Sequence, residues 1–346
     1  MNIKTLTQLQ QMEAGAACQK ATIAAYNHYI ENGQIDHACE IADWVVGDAE
    51  ESLGRNTAFS ADFQMHCIRY LIDAYYRQYA ESENGSEAEE QAAERLHMAL
   101  WRLKWVIEGL PEDTSCSLAD IEEANQFMQQ IYGHFEFDLA VMYKMLMYQN
   151  VDMGNAAAAK QYFAQWREHA DSDDLMADCA ACEQHALVVY HHFIGEYEQA
   201  LKYAQPILSG KMSCGKVPHE TYVPVIDSLI RLKRHQEAEQ YLVQALDLLE
   251  SNIEPHIHIL PRLIWLCSLL GLSERVEELF EEYGDLIAAY SQNSTLAYLR
   301  YVMAAVAVND EALPEAQRVA KVLDERNGNS HYQTLLERAF TATALH

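Results

Sequence analysis

The sequence predicts an all-α protein, an α-solenoid of about seven helix–turn–helix hairpins. Three observations carry that expectation. Half of the 346 residues are hydrophobic while Gly (14) and Pro (7) are sparse, a balance that favours helix; alternating Val/Ile/Thr runs that would mark strands are hard to find. A turn followed five positions later by a small residue recurs along the chain. Apolar positions after each turn then fall at i, i+4 and i+7, one face of a helix.

Residues 1–15 are polar and predict a frayed start or a short cap helix. Residues 16–31 read as the first helix, with Tyr26, Tyr29 and Ile30 on one face, and Asn32-Gly33 turn into a second helix carrying Ile41, Trp44 and Val45. Residues 59–80 form a long amphipathic helix through Phe59, Phe63, Cys67, Tyr70, Leu71 and Tyr75. Beyond the polar loop 81–86, a helix over 87–109 carries Leu96, Leu100, Leu103, Val106 and Ile107, and Gly109 with Pro111 closes it. The stretch 111–133 reads as an insertion: an acidic loop capped at Ser117, then a short helix through Phe127 and Ile131. Residues 1–133 are therefore expected to form an N-terminal helical region with divergent repeats, and 134–346 an array with a C-terminal capping helix.

In the array, helices are expected over 134–152, 173–193, 221–232, 258–270 and 294–308. Their turns fall at Gly154, Gly195, Lys233, Gly271 and Glu311, spaced by 41, 38, 38 and 40 residues. Five residues past each turn, with Gly33 included, stand Ala38, Ala159, Ala200, Ala238, Val276 and Ala316. An Ala there lets two helices cross closely. The next face positions are Ala42, Phe163, Ala204, Leu242, Phe280 and Ala320, then Val45, Trp166, Ile207, Ala245, Tyr283 and Leu323. A second echo pairs Val217-Pro218-His219 and Pro224 with Glu254-Pro255-His256 and Pro261, 37 residues later. Both outer prolines are expected near the first turn of a leading helix, where a missing N–H costs little.

The turn Gly, the Ala five later and the aromatic or small residue four after that resemble the tetratricopeptide repeat family, and the stretches Gly195–Leu208, Lys233–Leu246 and Gly271–Tyr283 fit it best. Spacing near 38 rather than the family's roughly 34, and the scarcity of its Trp, Gly and closing Pro, mark the repeats as degenerate. The resemblance implies a right-handed superhelix whose concave groove, lined by leading helices, holds a peptide or partner protein.

The formal charge is −28. Such an acidic field repels nucleic acid and anionic lipid and favours a basic protein or peptide as partner. No secretory h-region opens the chain and no stretch approaches 18 uncharged apolar residues, so a cytoplasmic protein is expected, without a membrane partner; a homo-oligomer is compatible with the sequence. The eight Cys sit in helical contexts and read as reduced core residues. Cys179, Cys182 and His185 lie at i, i+3 and i+6 of a helix, where two of them could share a metal with Cys214 or His192 as distant completers; no second CxxC or HxxxH accompanies them, so no metal or cofactor is expected. His256 and His258 are about 200° apart on a regular helix and cannot share an ion from it. Acidic pairs such as Asp173-Asp174 and Glu122-Glu123 complement helix starts. No nucleotide, serine-hydrolase or zincin motif occurs.

The leading-helix faces opposite the packing stripe offer Asn27, Tyr148, His185, His192, Asp227, Arg231, Arg262, Trp265 and Tyr301 as the partner-binding groove; Arg and aromatic residues there are typical binding anchors. The expected function is a non-enzymatic protein- or peptide-binding scaffold or regulator. The alternatives are an acidic, immunity-type inhibitor that neutralises a basic toxin or enzyme, and a metal-dependent enzyme built on Cys179, Cys182 and His185.

Overall fold

The computed structural model describes residues 3–13, 15–47, 56–169 and 175–343. They are predominantly helical, with no strand among them. The chain divides into two compact units, residues 1–131 and 132–346.

The first unit contains α1 (Leu6–Gln10), α2 (Ala16–Glu31), α3 (Ile35–Val46), α4 (Ala61–Glu81) and α5 (Glu87–Gly109), and most of α6 (Leu118–His134). Helices α2 to α5 pack consecutively. Gln64 ties α4 to the end of α3 by donating to the Val45 carbonyl at 2.8 Å. Arg102 of α5 meets Asp43 of α3 at 3.1 Å. The stretch expected as an insertion is a short 3-10 turn (Leu110–Glu112) followed by the 17-residue α6. Arg69 of α4 bonds Glu123 at 2.8 Å and lies over the Phe127 ring, so α6 meets α4.

The second unit contains α7 (Ala140–Asp152), α8 (Ala156–His169), α9 (Ala180–Phe193), α10 (Tyr197–Leu208), α11 (His219–Arg231), α12 (His235–Glu250), α13 (Leu260–Leu269), α14 (Ser273–Tyr290), α15 (Thr295–Val308), α16 (Leu313–Asn327) and α17 (His331–Thr343). Each odd-numbered helix from α7 to α15 pairs with the helix after it. From α7 to α13, each also packs on the next odd-numbered helix.

The turns explain the regularity. Gly33, Gly154, Gly195 and Gly271 have φ of 67°, 71°, 83° and 75°, and Lys233 adopts the same left-handed conformation at 59°. At all five, the turn residue's N–H bonds the carbonyl three residues back, and the next N–H reaches five back, as in Lys233 to Ile230 and Arg234 to Leu229. That pair of bonds satisfies the orphan carbonyls of the ending helix and reverses the chain in a fixed geometry. The fixed geometry puts the residue five later against the preceding helix. Ala38, Ala159, Ala200, Ala238 and Ala316 are 0% exposed and Val276 1%.

Glu311 departs from the pattern. Its turn is built instead on Asn309, whose side chain caps a 3-10 turn (Asp310–Ala312) ahead of α16. Helix α9 begins at Ala180, not 173, and Asp173-Asp174 lie outside the described residues, as does Met1-Asn2. Helix α11 begins at His219, so Pro224 sits inside the helix, while Pro261 does occupy the first turn of α13.

Helix α17 packs on α16 and α13, and the residues leading into it reach the far end of the unit. Asn329 donates to the Met153 carbonyl at 2.6 Å, Tyr332 donates to the Asp152 carbonyl, and Arg300 of α15 meets the Asp152 carboxylate at 3.4 Å. The first and last hairpins of the unit are thus joined although they stand far apart in the chain.

The left-handed turns can be tested one residue at a time. A Cβ on Gly154 would strike the His331 side chain, whereas one on Gly271 meets nothing. Gly271→Ala should cost about 1 kcal/mol, the left-handed penalty alone, and Gly154→Ala at least about 1 kcal/mol more from overpacking. Lys233→Gly should stabilise by about 0.5–1 kcal/mol by relieving the same penalty. Urea unfolding midpoints of the three variants measure these differences.

Candidate functional site

The odd-numbered helices carry a polar strip across α9, α11 and α13. On α9, His185 and His192 are seven residues apart and share a face. His185 Nδ1 lies 2.9 Å from Thr221 Oγ1, and its Nε2 3.6 Å from Glu220. The other Glu220 oxygen is 3.3 Å from His258 Nε2. Further along α9, His192 Nδ1 is 3.0 Å from Ser228 Oγ and its Nε2 3.2 Å from Asp227, whose second oxygen accepts from Arg231 Nε at 3.1 Å. Equivalent positions of successive repeats therefore meet face to face.

Arg262 of α13 completes the strip differently. Among the described residues no hydrogen-bond or ion-pair partner is within reach of its guanidinium; Asp152, Asp227 and Glu220 act on it from longer range, as does Arg300. Enclosure by protein, then Arg300, pull its pKa down to about 10. The residue nonetheless stays partly open to water. Its five N–H donors are not spent on any partner among the described residues.

The carboxylates are held ionised. Burial alone would raise Glu220, but Lys216 and the imidazoles of His258 and His185 outweigh it and keep it far below the ordinary range. Asp227 behaves likewise: burial opposes its charge, and His192 and Arg231 prevail. His185 goes the other way. Burial pushes it down to about 4, and the pull of Glu220 toward the charged form is too small to compensate.

Five of the nine expected groove residues come together here: His185, His192, Asp227, Arg231 and Arg262. The other four do not. Asn27 is exposed on α2, in the first unit. Tyr148 packs on the Trp166 and Tyr190 cluster. Trp265 is 8% exposed, buried against Leu296, Leu299 and Val302. Tyr301 stacks on Phe280 with ring centroids 6.0 Å apart. All three aromatics pack on neighbouring helices, Trp265 buried and Tyr148 and Tyr301 half-buried. Sequence reasoning missed Glu220, His258, Asp152 and Arg300. The 36–38 residue offset was the available signal, since it places residue i beside its repeat equivalent: His185 beside Thr221, His192 beside Ser228, Glu220 beside His258. The same offset stacks His219 on His256, at 3.7 Å between ring centroids.

His185 does not join Cys179 and Cys182, so the ligand set expected for a metal-dependent enzyme is not assembled. A second buried charge plays a structural part. Lys144 of α7 bonds Asp178 at 2.5 Å and also Glu183, fixing the start of α9 on α7.

Comparison of the chain with protein-family models, with curated proteins and with solved structures gave no match in any of the three. The likeness to tetratricopeptide repeats rests on the residues alone. No helix among the described residues is long and apolar enough to cross a membrane.

The strip makes stability sensitive to acid. A His185 pKa near 4 in the fold, against the ordinary 6.5, means that its contribution is complete above about pH 6.5 and is lost as pH falls toward 4. The depressed Glu220 and Asp227 add a further loss at lower pH, beginning near their ordinary values of 4.5 and 3.8. Urea midpoints measured from pH 7.5 to 4.5 should therefore fall in the wild type and fall less in His185→Gln, the difference reaching at most about 3 kcal/mol.

Proposed function

We propose that the chain is a helical-repeat binding protein, a right-handed superhelix of tetratricopeptide-like hairpins. It holds a peptide or a segment of a partner protein against its odd-numbered helices, and Arg262 anchors a carboxylate of that partner. The observation that carries this reading is the unspent, partly open guanidinium of Arg262. Its neighbours are already committed: Asp227 to His192 and Arg231, Glu220 to His185 and His258, Asp152 to Arg300. The strip therefore has cationic capacity left and little anionic capacity. A partly desolvated arginine binds a carboxylate through paired, charge-assisted hydrogen bonds. Stacking of each odd-numbered helix on the next, from α7 to α15, supports a continuous binding face. The net charge of −28 favours basic residues flanking the anchoring carboxylate.

The test compares immobilised peptides that carry a free carboxylate between basic flanks with the same peptides amidated. Wild-type protein should retain the carboxylate forms, and Arg262→Ala should weaken retention by about 10- to 100-fold, the worth of a charge-assisted pair. The variant should be as stable as the wild type or slightly more so, because a desolvated charge without a close partner is removed. Equal retention of free and amidated peptides, or undiminished retention by Arg262→Ala, would sink the assignment.

A further inference from the structure

The cysteines divide cleanly by exposure. Cys18, Cys39, Cys67, Cys116 and Cys267 are buried, as small apolar side chains should be. Cys179 is exposed, and Cys182 and Cys214 are half-buried. These three, which stand outside the fully buried core, are the three that meet. Their sulfurs all lie within 4.8 Å of one another, and Cys182 Sγ and Cys214 Sγ are 3.5 Å apart. The reading of all eight as core residues fails here, and Cys214, 32 residues beyond Cys182, is brought in by the fold.

Two chain segments build the cluster. Cys179 is the N-cap residue of α9 and Cys182 lies in its first turn, the spacing that turns two thiols toward one point. Lys144 clamps Asp178 and Glu183, the neighbours of those two cysteines, and so fixes the pair. Cys214 lies in the connection between α10 and α11. There its N–H bonds the Val217 carbonyl at 2.9 Å, and it packs with Val217 and Met212 beside Cys182.

We propose that Cys179, Cys182 and Cys214 bind one Zn²⁺ as thiolates, with the fourth position open to water on the side of Cys179. Zinc–sulfur bonds of about 2.3 Å set sulfurs about 3.8 Å apart at the corners of a tetrahedron. The observed separations approach that edge, and a disulfide at about 2.05 Å would use only two of the three sulfurs. Each thiol gives up its proton to solvent as it binds. Three thiolates and Zn²⁺ leave a single net negative charge, which the N-terminus of α9 favours. Soft sulfur ligands select zinc over magnesium or calcium. The ion staples the α10–α11 connection to the start of α9, separately from the strip around Arg262.

The test uses tag-free full-length protein purified without chelator under reducing conditions. Elemental analysis should find one zinc per chain, and cobalt(II) loaded in its place should show sulfur-to-metal charge-transfer absorption and a tetrahedral ligand-field spectrum. Cys214→Ser should lower zinc affinity at least about tenfold, and Cys267→Ala should leave it unchanged. Should Cys214→Ser misfold, the cobalt spectrum of wild-type protein decides by itself. Absence of stoichiometric zinc together with no sulfur–cobalt band overturns the site. So does a Cys182–Cys214 disulfide found by thiol counting in freshly purified protein.

Discussion

Everything in the repeat unit depends on the close crossing of two helices at the residue five positions after each turn. The crossing needs a chain reversal of fixed geometry and a side chain no larger than Ala or Val. Where both are present, the two bonds of the turn set the angle between helices, and the following face positions fall into contact. Lys233 shows that the geometry is required more strongly than the residue: a non-glycine accepts the strained conformation, and Ala238 is fully buried. At Glu311 the geometry is reached by another route, an asparagine cap, and Ala316 is still fully buried.

From that constraint comes the polar strip. Stacking with a period near 38 residues sets equivalent side chains of neighbouring repeats opposite one another. A histidine on one helix therefore meets a hydroxyl or carboxylate on the next, as His185 meets Thr221 and Glu220, and His192 meets Ser228 and Asp227. Such pairs convert an unfavourable burial of polar groups into a satisfied network, which specifies the register between repeats. Arg262 stands apart because it lies among several charges and is bonded to none of them among the described residues.

The contacts at Asp152 join the two ends of the second unit. Its carboxylate takes Arg300 and its carbonyl takes Tyr332, so the end of α7 is tied to α15 and α17.

The helices, the turns and the packing alanines were legible in the sequence because each is decided by residues within a few positions of one another. Gly195 and Ala200 need only their own hairpin. That His185, His192, Asp227, Arg231 and Arg262 share a strip was legible for the same reason, since a helix face can be counted from its turn. The packing of Trp265 on α15 and of Tyr301 on α14 was not legible, because it depends on the helix lying across each residue. The partners Glu220, His258, Asp152 and Arg300 were set by contacts between repeats, and the meeting of Cys214 with Cys179 and Cys182 by the path of a connection with no periodic pattern. Local physics fixed which segments are helices and where they turn. Tertiary packing alone chose which charges were neutralised, which guanidinium was left without a close partner, and which three thiols came to share one point in space.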